Sequence, residues 1–303
     1  LTQTVTVTNE FGHHSSVSIP AERDLTVYVD NRELVTLMTL GAHPEWLVLG
    51  YLLNQRLVDS VDEIESITVD WEVNAASVKT RHGIDRIDER TAKRVVTTGC
   101  GQGSVFGSLM DEIDSIRLPD RSVLRQSQLY SIVNAIRLRE STYKSAGSVH
   151  ACALFLDAGL QLFVEDVGRH NAVDTIAGWM ALNMSPPISD THPMLLAASP
   201  LHGSLPSDGF DSRSGAQKVF YTTGRLTSEM VIKSAQMGVA VVVSRSGITQ
   251  MGLDLALRVG LCAIGRATNK RFLCYTHAQR LIMDAVPSEP SSVVPGERIV
   301  SDA

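Results

Sequence analysis

The sequence predicts an α/β protein, with a smaller β-rich part ahead of the α/β part, on three observations. Short apolar strands in the second half are separated by helical stretches of about ten residues, a rhythm that argues for α/β layers with some parallel pairing. Glycine directly follows two of those helices, at Gly238 and Gly260, where a left-handed stop is expected. The first ninety residues instead alternate apolar with polar, the period of half-buried strands.

The elements follow in order. VTVTN, SVSIP, DLTVYVDNREL and IESITVD read as strands, and Asp30-Asn31 suits a hairpin turn. PEWLVLGYLLNQ reads as a helix with Pro44 in its first turn. From Leu124 to Glu140 the apolar residues Leu129, Ile132, Val133 and Ile136 recur at helical spacing. SVHACALFL is a buried strand, DAGLQ a turn and LFVEDV its returning partner, with RHNAVDTIAGWMALN a helix behind them. MLLAAS, residues 194–199, reads as a further strand. A helix from Ser228 to Met237, the strand VAVVVS and a helix from Thr249 to Val259 come next. LCAIG and RFLCY then form a last strand pair around a basic turn. Residues 200–220 are rich in Gly, Ser and Asp and read as a surface loop. These assignments divide the chain into an N-terminal β-rich domain (1–142), an α/β domain (143–284) and a peripheral Pro/Ser-rich tail (285–303).

Composition narrows the function. The chain has 303 residues, is 44% hydrophobic and 20% charged, and carries a formal net charge of −6. That balance is typical of a packed globular protein and gives no electrostatic support for nucleic-acid binding. No apolar run reaches the roughly 18 residues of a membrane span. The opening LTQTVTVTNEFGHH lacks the basic start and apolar stretch of a signal peptide. The four cysteines, Cys100, Cys152, Cys262 and Cys274, contain no CxxC pair. Reduced thiols and no leader point to the cytoplasm.

Three of those cysteines sit in apolar, strand-like runs and read as core residues. Cys100 is different. It lies in TTGCGQGS, with Gly99, Gly101 and Gly103 around it. Glycines let a backbone approach another molecule closely, so Cys100 is the candidate nucleophilic or sulfur-carrying thiol. The densest polar cluster is EDVGRHNAVD, residues 165–174, at a strand-to-helix junction, with Asp166, Arg169, His170 and Asn171 as candidate binding residues. Backbone N–H groups at a helix start suit an anion. TTGRLTSEM repeats the design: Gly224 permits close approach, and Arg225 can fork onto a phosphate. GRATNKR contributes a cationic turn, Arg266, Ala267, Thr268, Asn269, Lys270 and Arg271. Two arginine-bearing turns at strand ends suggest a nucleotide pocket. His150-Ala151-Cys152 superficially matches the HxE of zinc deaminases, but the glutamate and the PCxxC partner are absent. No metal site is expected, and no protein-bound zinc.

VHACALFLDAG, EDVGRHNAVD, TTGRLTSEMVIKSAQMGVAVVVS and RFLCYTHAQRL together resemble the formate dehydrogenase accessory sulfurtransferase (FdhD) family, as does DLTVYVDNRELVTLMTLGAHPEWLVLGYLL. The resemblance runs from about residue 20 to about residue 282. It implies a cytoplasmic homodimer whose core is similar to the cytidine deaminase fold without its zinc. It further implies that persulfide sulfur comes from a cysteine desulfurase. That sulfur would pass to the molybdenum (or tungsten) bis-guanine-dinucleotide cofactor destined for the formate dehydrogenase apoprotein. The persulfide cysteine maps onto Cys100, and a cofactor-binding stretch onto Arg266 to Arg271.

The family pattern CGxCG departs here to Cys100-Gly101-Gln102-Gly103-Ser104. One thiol suffices to hold a persulfide, whereas a second would resolve it as an internal disulfide. Gly103 therefore leaves two alternatives, a sulfurtransferase working through a single thiol and a non-catalytic chaperone that binds and delivers the cofactor.

Overall fold

The computed structural model describes residues 1–84, 87, 95–96, 103–104, 113–139, 141–184 and 217–285. Cys100, the expected strand at 194–199, most of the 200–220 segment and nearly all of the tail lie outside the described residues.

Two strands, β1 (Thr2–Thr8) and β2 (His14–Pro20), form an antiparallel ribbon. A four-stranded sheet follows, built from β3 (Arg23–Val29), β4 (Arg32–Thr39), β5 (Ile64–Asp70) and β6 (Ala75–Thr80) in the order β4-β3-β6-β5. Asp30 and Asn31 make the tight hairpin expected, both in the left-handed region at φ 48° and 69°. Between β4 and β5 runs helix α1 (Pro44–Asn54), with proline in its first turn.

Two short strands, β7 (Val95–Val96) and β8 (Gly103–Ser104), pair antiparallel with Val96 opposite Gly103. Residues 97–102, which include Cys100, connect them. Strand β9 (Leu124–Arg125) then leads into α2 (Gln126–Leu138), close to the helix expected over 124–140, and α3 (Thr142–Ala146) is a short turn of helix.

The second half builds a six-stranded mixed sheet. Its strands are β10 (His150–Leu156), β11 (Gly159–Asp166), β12 (Lys218–Thr222), β13 (Val241–Ser244), β14 (Cys262–Thr268) and β15 (Arg271–Cys274), in the order β11-β10-β12-β13-β14-β15. β12, β13 and β14 are parallel, joined by the crossover helices α5 (Ser228–Gln236) and α6 (Gln250–Val259). β11 passes into α4 (Arg169–Asn183), and β16 (Leu281–Ile282) pairs with β9. Gly260 ends α6 at φ 76°, the left-handed stop expected there. The loop expected to reach Phe220 ends sooner, because KVFYT already pairs with β10 and β13.

Three apolar clusters stack these parts into layers. α2 covers one face of the six-stranded sheet through Leu129, Ile132 and Val133 against Phe155, Val219 and Val241. On the other face α4, α5 and α6 bury Val173, Ile176, Met230 and Leu255 against Leu154, Phe220 and Val242. α1 lies between α4 and the four-stranded sheet, where Leu47, Val48 and Leu52 meet Leu25, Val27 and Val78. α1 and α4 touch backbone to backbone. A Cβ on Gly50 would fall 1.7 Å from the Asp174 carbonyl oxygen, and one on Gly178 would fall 2.0 Å from that of Trp46. This contact ties the two sheets together and buries α4 on all sides.

Candidate functional site

One end of the six-stranded sheet collects most of the residues singled out by sequence. β10 begins there at His150, opposite Asp166 at the end of β11. β12 and β13 end there at Thr222 and Ser244, which are paired neighbours. α4 and α5 start there. In an α/β sheet the carboxyl ends of parallel strands are where ligands bind.

Asp166 and Asn171 are turned inward. Asp166 accepts from Thr39 Oγ1 at 2.5 Å and from Asn171 Nδ2 at 3.1 Å, and Asn171 Nδ2 also donates to the Met38 carbonyl at 2.6 Å. Burial pushes the Asp166 carboxyl above the ordinary range, and these hydrogen bonds oppose the rise. The pair latches the end of β4 to the start of α4, and so sets where that helix begins.

His170 is buried beside Glu229, its Nδ1 3.5 Å from Oε1 without a well-formed hydrogen bond. Burial drives its pKa down to about 3, against the pull of Glu229. The imidazole is therefore neutral near pH 7, and the contact with Glu229 is not an ion pair there. One turn on, Asp174 accepts from Lys233 Nζ at 2.8 Å and from Asn54 Nδ2 at 2.7 Å. Burial alone would lower the Lys233 pKa, but Asp174 and Glu229 together hold it above the ordinary lysine value. This buried network joins α1, α4 and α5.

Arg169 stands apart from these bonds. It is only 4% exposed, yet its Nε is buried without a hydrogen-bond partner. Its stem lies against Gly224, where a Cβ would fall 2.7 Å from Arg169 Cδ. His150, half-buried, has its pKa lowered by burial and then by Arg169 and Arg225, so all three sit within one electrostatic neighbourhood. Thr227, the N-cap of α5, has a buried Oγ1 with no partner either. A buried guanidinium with no ion pair among the described residues and a helix start without a side-chain cap both favour an anion.

The two arginine-bearing turns meet at this end. Gly224 is anchored through its carbonyl, which accepts from Ser244 Oγ at 2.7 Å. Ser246 Oγ donates to the Thr223 carbonyl at 2.9 Å, and the Arg266 N–H donates to the Ser246 carbonyl at 2.7 Å. Ser246 thus bridges the loop of Arg225 to the turn that starts at Arg266. Arg225, Arg266, Thr268, Asn269, Lys270 and Arg271 are exposed, whereas Ala267 points into the core. The sequence reading missed His150 as a neighbour of Arg169 and Arg225, together with Thr227, Ser246 and the Thr39 latch. SRSGIT after the strand VAVVVS repeats the polar strand end of TTGRLT, and that repeat was the available signal for Ser246.

Of the other thiols, Cys152 is wholly buried, lies 3.4 Å from Thr222 Oγ1, and is pushed up to about 12 by burial. It is a core residue, as its apolar run implied. Cys262 is buried too, but Cys274 is half-buried and in contact with it.

Fold and site together define a mixed α/β protein with a cationic end on its larger sheet. Matching the FdhD/NarQ family model over residues 20–199 and 201–282, the chain belongs to that family. It is 27% identical over 260 residues to a sulfur carrier protein FdhD of Bacillus pumilus, covering 86% of this chain and 88% of the relative. A sulfur carrier protein FdhD of Wolinella succinogenes is 22% identical over 264 residues, covering 87% and 82% of the two chains. A crystal structure described as that of a formate dehydrogenase accessory protein, from Desulfotalea psychrophila, superposes with a TM-score of 0.66. It is 22% identical, covers 93% of this chain and 99% of its own, and shows the same fold.

Proposed function

We propose that this protein is a sulfur carrier serving formate dehydrogenase. In this reading Cys100 takes persulfide sulfur from a cysteine desulfurase and passes it to a molybdenum (or tungsten) bis-guanine-dinucleotide cofactor, which is the cargo. The names of the curated relatives support the carrier role. The glycine-rich setting of Cys100 supports its being the carrier thiol. The observation that carries the cargo site is Arg169, a buried cation without a hydrogen-bond partner at Nε, its stem packed closely on Gly224.

The roles follow from the chemistry of each group. The Cys100 thiolate attacks the outer sulfur of the donor persulfide, forming Cys100–S–SH and releasing the donor's cysteine thiolate. With Gly103 in place of a second cysteine, two external thiols reduce that persulfide, yielding one disulfide, restoring Cys100 and releasing sulfide, which the cargo takes up. Arg169 and Arg225, with the N-terminus of α5, receive the phosphates of a guanine nucleotide moiety. The exposed turn of Arg266, Lys270 and Arg271 extends that cationic surface.

Gly103 also supports a second reading, a chaperone that binds the cofactor without carrying sulfur. Activation of formate dehydrogenase in cells lacking their own accessory protein separates the two. Rescue by the natural sequence but not by Cys100→Ala is expected. Equal rescue by Cys100→Ala means that the thiol is dispensable and the protein is a chaperone.

A further inference from the structure

Cys262 opens β14 and Cys274 closes β15, and their sulfurs lie 3.8 Å apart. Ile264 stands opposite Cys274 in the register, so the two cysteines are diagonal neighbours on one face of the strand pair. Below them the strands stay joined. The Tyr275 N–H donates to the Ala263 carbonyl at 2.8 Å, and Thr276 Oγ1 accepts from the Ala263 N–H at 2.9 Å while donating to the Leu261 carbonyl at 2.6 Å. The hairpin enclosed between the two thiols carries Arg266 to Arg271.

The two sulfurs are unequal. β15 is the outer strand of the sheet and Cys274 is half-buried there, whereas Cys262 is wholly buried behind it. Cys274 Sγ donates to the Thr276 carbonyl at 3.4 Å, and the contact with Cys262 lowers the Cys274 pKa against burial. The same contact, with burial, pushes Cys262 up. An accessible, readily ionised thiol backed by a protonated one is the arrangement of attacking and resolving cysteines. Closing the bond requires the sulfurs to move from 3.8 Å to about 2.05 Å.

We propose that Cys262 and Cys274 are a redox-active dithiol, a modification site whose oxidant is a low-molecular-weight disulfide and whose product staples the hairpin bearing Arg266 to Arg271. The Cys274 thiolate attacks RSSR, forming Cys274–S–SR and releasing RS⁻. Cys262 then attacks Cys274–S–SR at the Cys274 sulfur and gives its proton to the departing thiolate, releasing RSH. Two thiols are oxidised to one disulfide, and one RSSR is reduced to two thiols. The inference is independent of the sulfur-carrier reading, because no step involves Cys100, a sulfur donor or a nucleotide.

The test is peptide mapping of the full chain after incubation with oxidised glutathione, alkylation of remaining thiols and tryptic digestion. Cleavage at Arg258, Arg266, Arg271 and Arg280 places Cys262 in VGLCAIGR and Cys274 in FLCYTHAQR. The expected product is these two peptides cross-linked, separating on reduction. In Cys262→Ser the reaction should stop at a glutathione adduct on Cys274. Hydrogen exchange at residues 266–271 should slow in the oxidised protein. Two alkylated peptides, or a wild-type glutathione adduct that persists on Cys274, would overturn the dithiol, and unchanged exchange would overturn the staple. The cross-link in the natural sequence decides the matter even if Cys262→Ser fails to fold.

Discussion

His170 and Lys233 both lie against Glu229 in one buried network, and burial lowers the pKa of each, yet the outcomes are opposite. His170 is neutral because nothing nearby outweighs its desolvation, and its folded pKa is about 3 against an ordinary 6.5. Between those values the unfolded chain binds a proton that the folded chain refuses, so stability falls as pH drops through that window. Its slope from this group is at most about 1.4 kcal/mol per pH unit. The raised carboxyls of Asp166 and Asp174 act in the opposite sense, so the test is a comparison. Urea unfolding from pH 6.5 to 4 should show a steeper loss in the natural protein than in His170→Gln. Equal slopes would mean that His170 is charged in the fold. Lys233, 1% exposed, is instead kept protonated by two carboxylates. Lys233→Met leaves Asp174 buried without its cation and should cost about 3–5 kcal/mol in the same assay.

At the scale of elements, the α1–α4 crossing and the loop after β12 both depend on missing Cβ atoms, with different consequences. Gly178→Ala drives a methyl into the Trp46 carbonyl, which neither helix can avoid without separating. A loss of about 1–3 kcal/mol or more is expected in thermal or urea unfolding. Gly224→Ala meets side-chain atoms alone, Arg169 Cδ at 2.7 Å, Arg169 Cβ at 3.2 Å and Thr222 Oγ1 at 3.4 Å. It should leave stability nearly intact and weaken GDP binding about tenfold, the effect of losing one charge-assisted phosphate contact. Calorimetric titration measures it, and unchanged affinity would remove Arg169 from the phosphate site. The contrast also explains what was legible in the sequence. The Asp30-Asn31 hairpin, Pro44 at a helix start and Gly260 at a helix end are local devices, and each was readable residue by residue. AASVKT (β6) was missed because its small residues carry little strand propensity and its place is set by β3 and β5 on either side. α4 was readable as a helix, but not the reason for its polar first turns. Thr39, Asn54 and Lys233 reach them from distant parts of the chain, and no local spacing encodes that.

For the whole molecule, the layered core delivers two cationic turns and two helix starts to one end of a sheet, while Cys100, the proposed carrier, belongs in sequence between β7 and β8. The two proposed roles, holding an anionic cargo and carrying sulfur, draw on separate parts of the sequence, so they should fail separately. Arg225→Ala and Arg271→Ala should weaken GDP binding without affecting sulfur loading, and Cys100→Ala should do the reverse. The central claim is that Cys100 carries sulfur. Its most direct test is intact-mass analysis of the full chain after incubation with a cysteine desulfurase and cysteine, before and after reduction. The account predicts a reducible gain of one sulfur atom in the natural protein and in Cys152→Ala, and no gain in Cys100→Ala. The same gain in Cys100→Ala, or none in the natural protein, would contradict it.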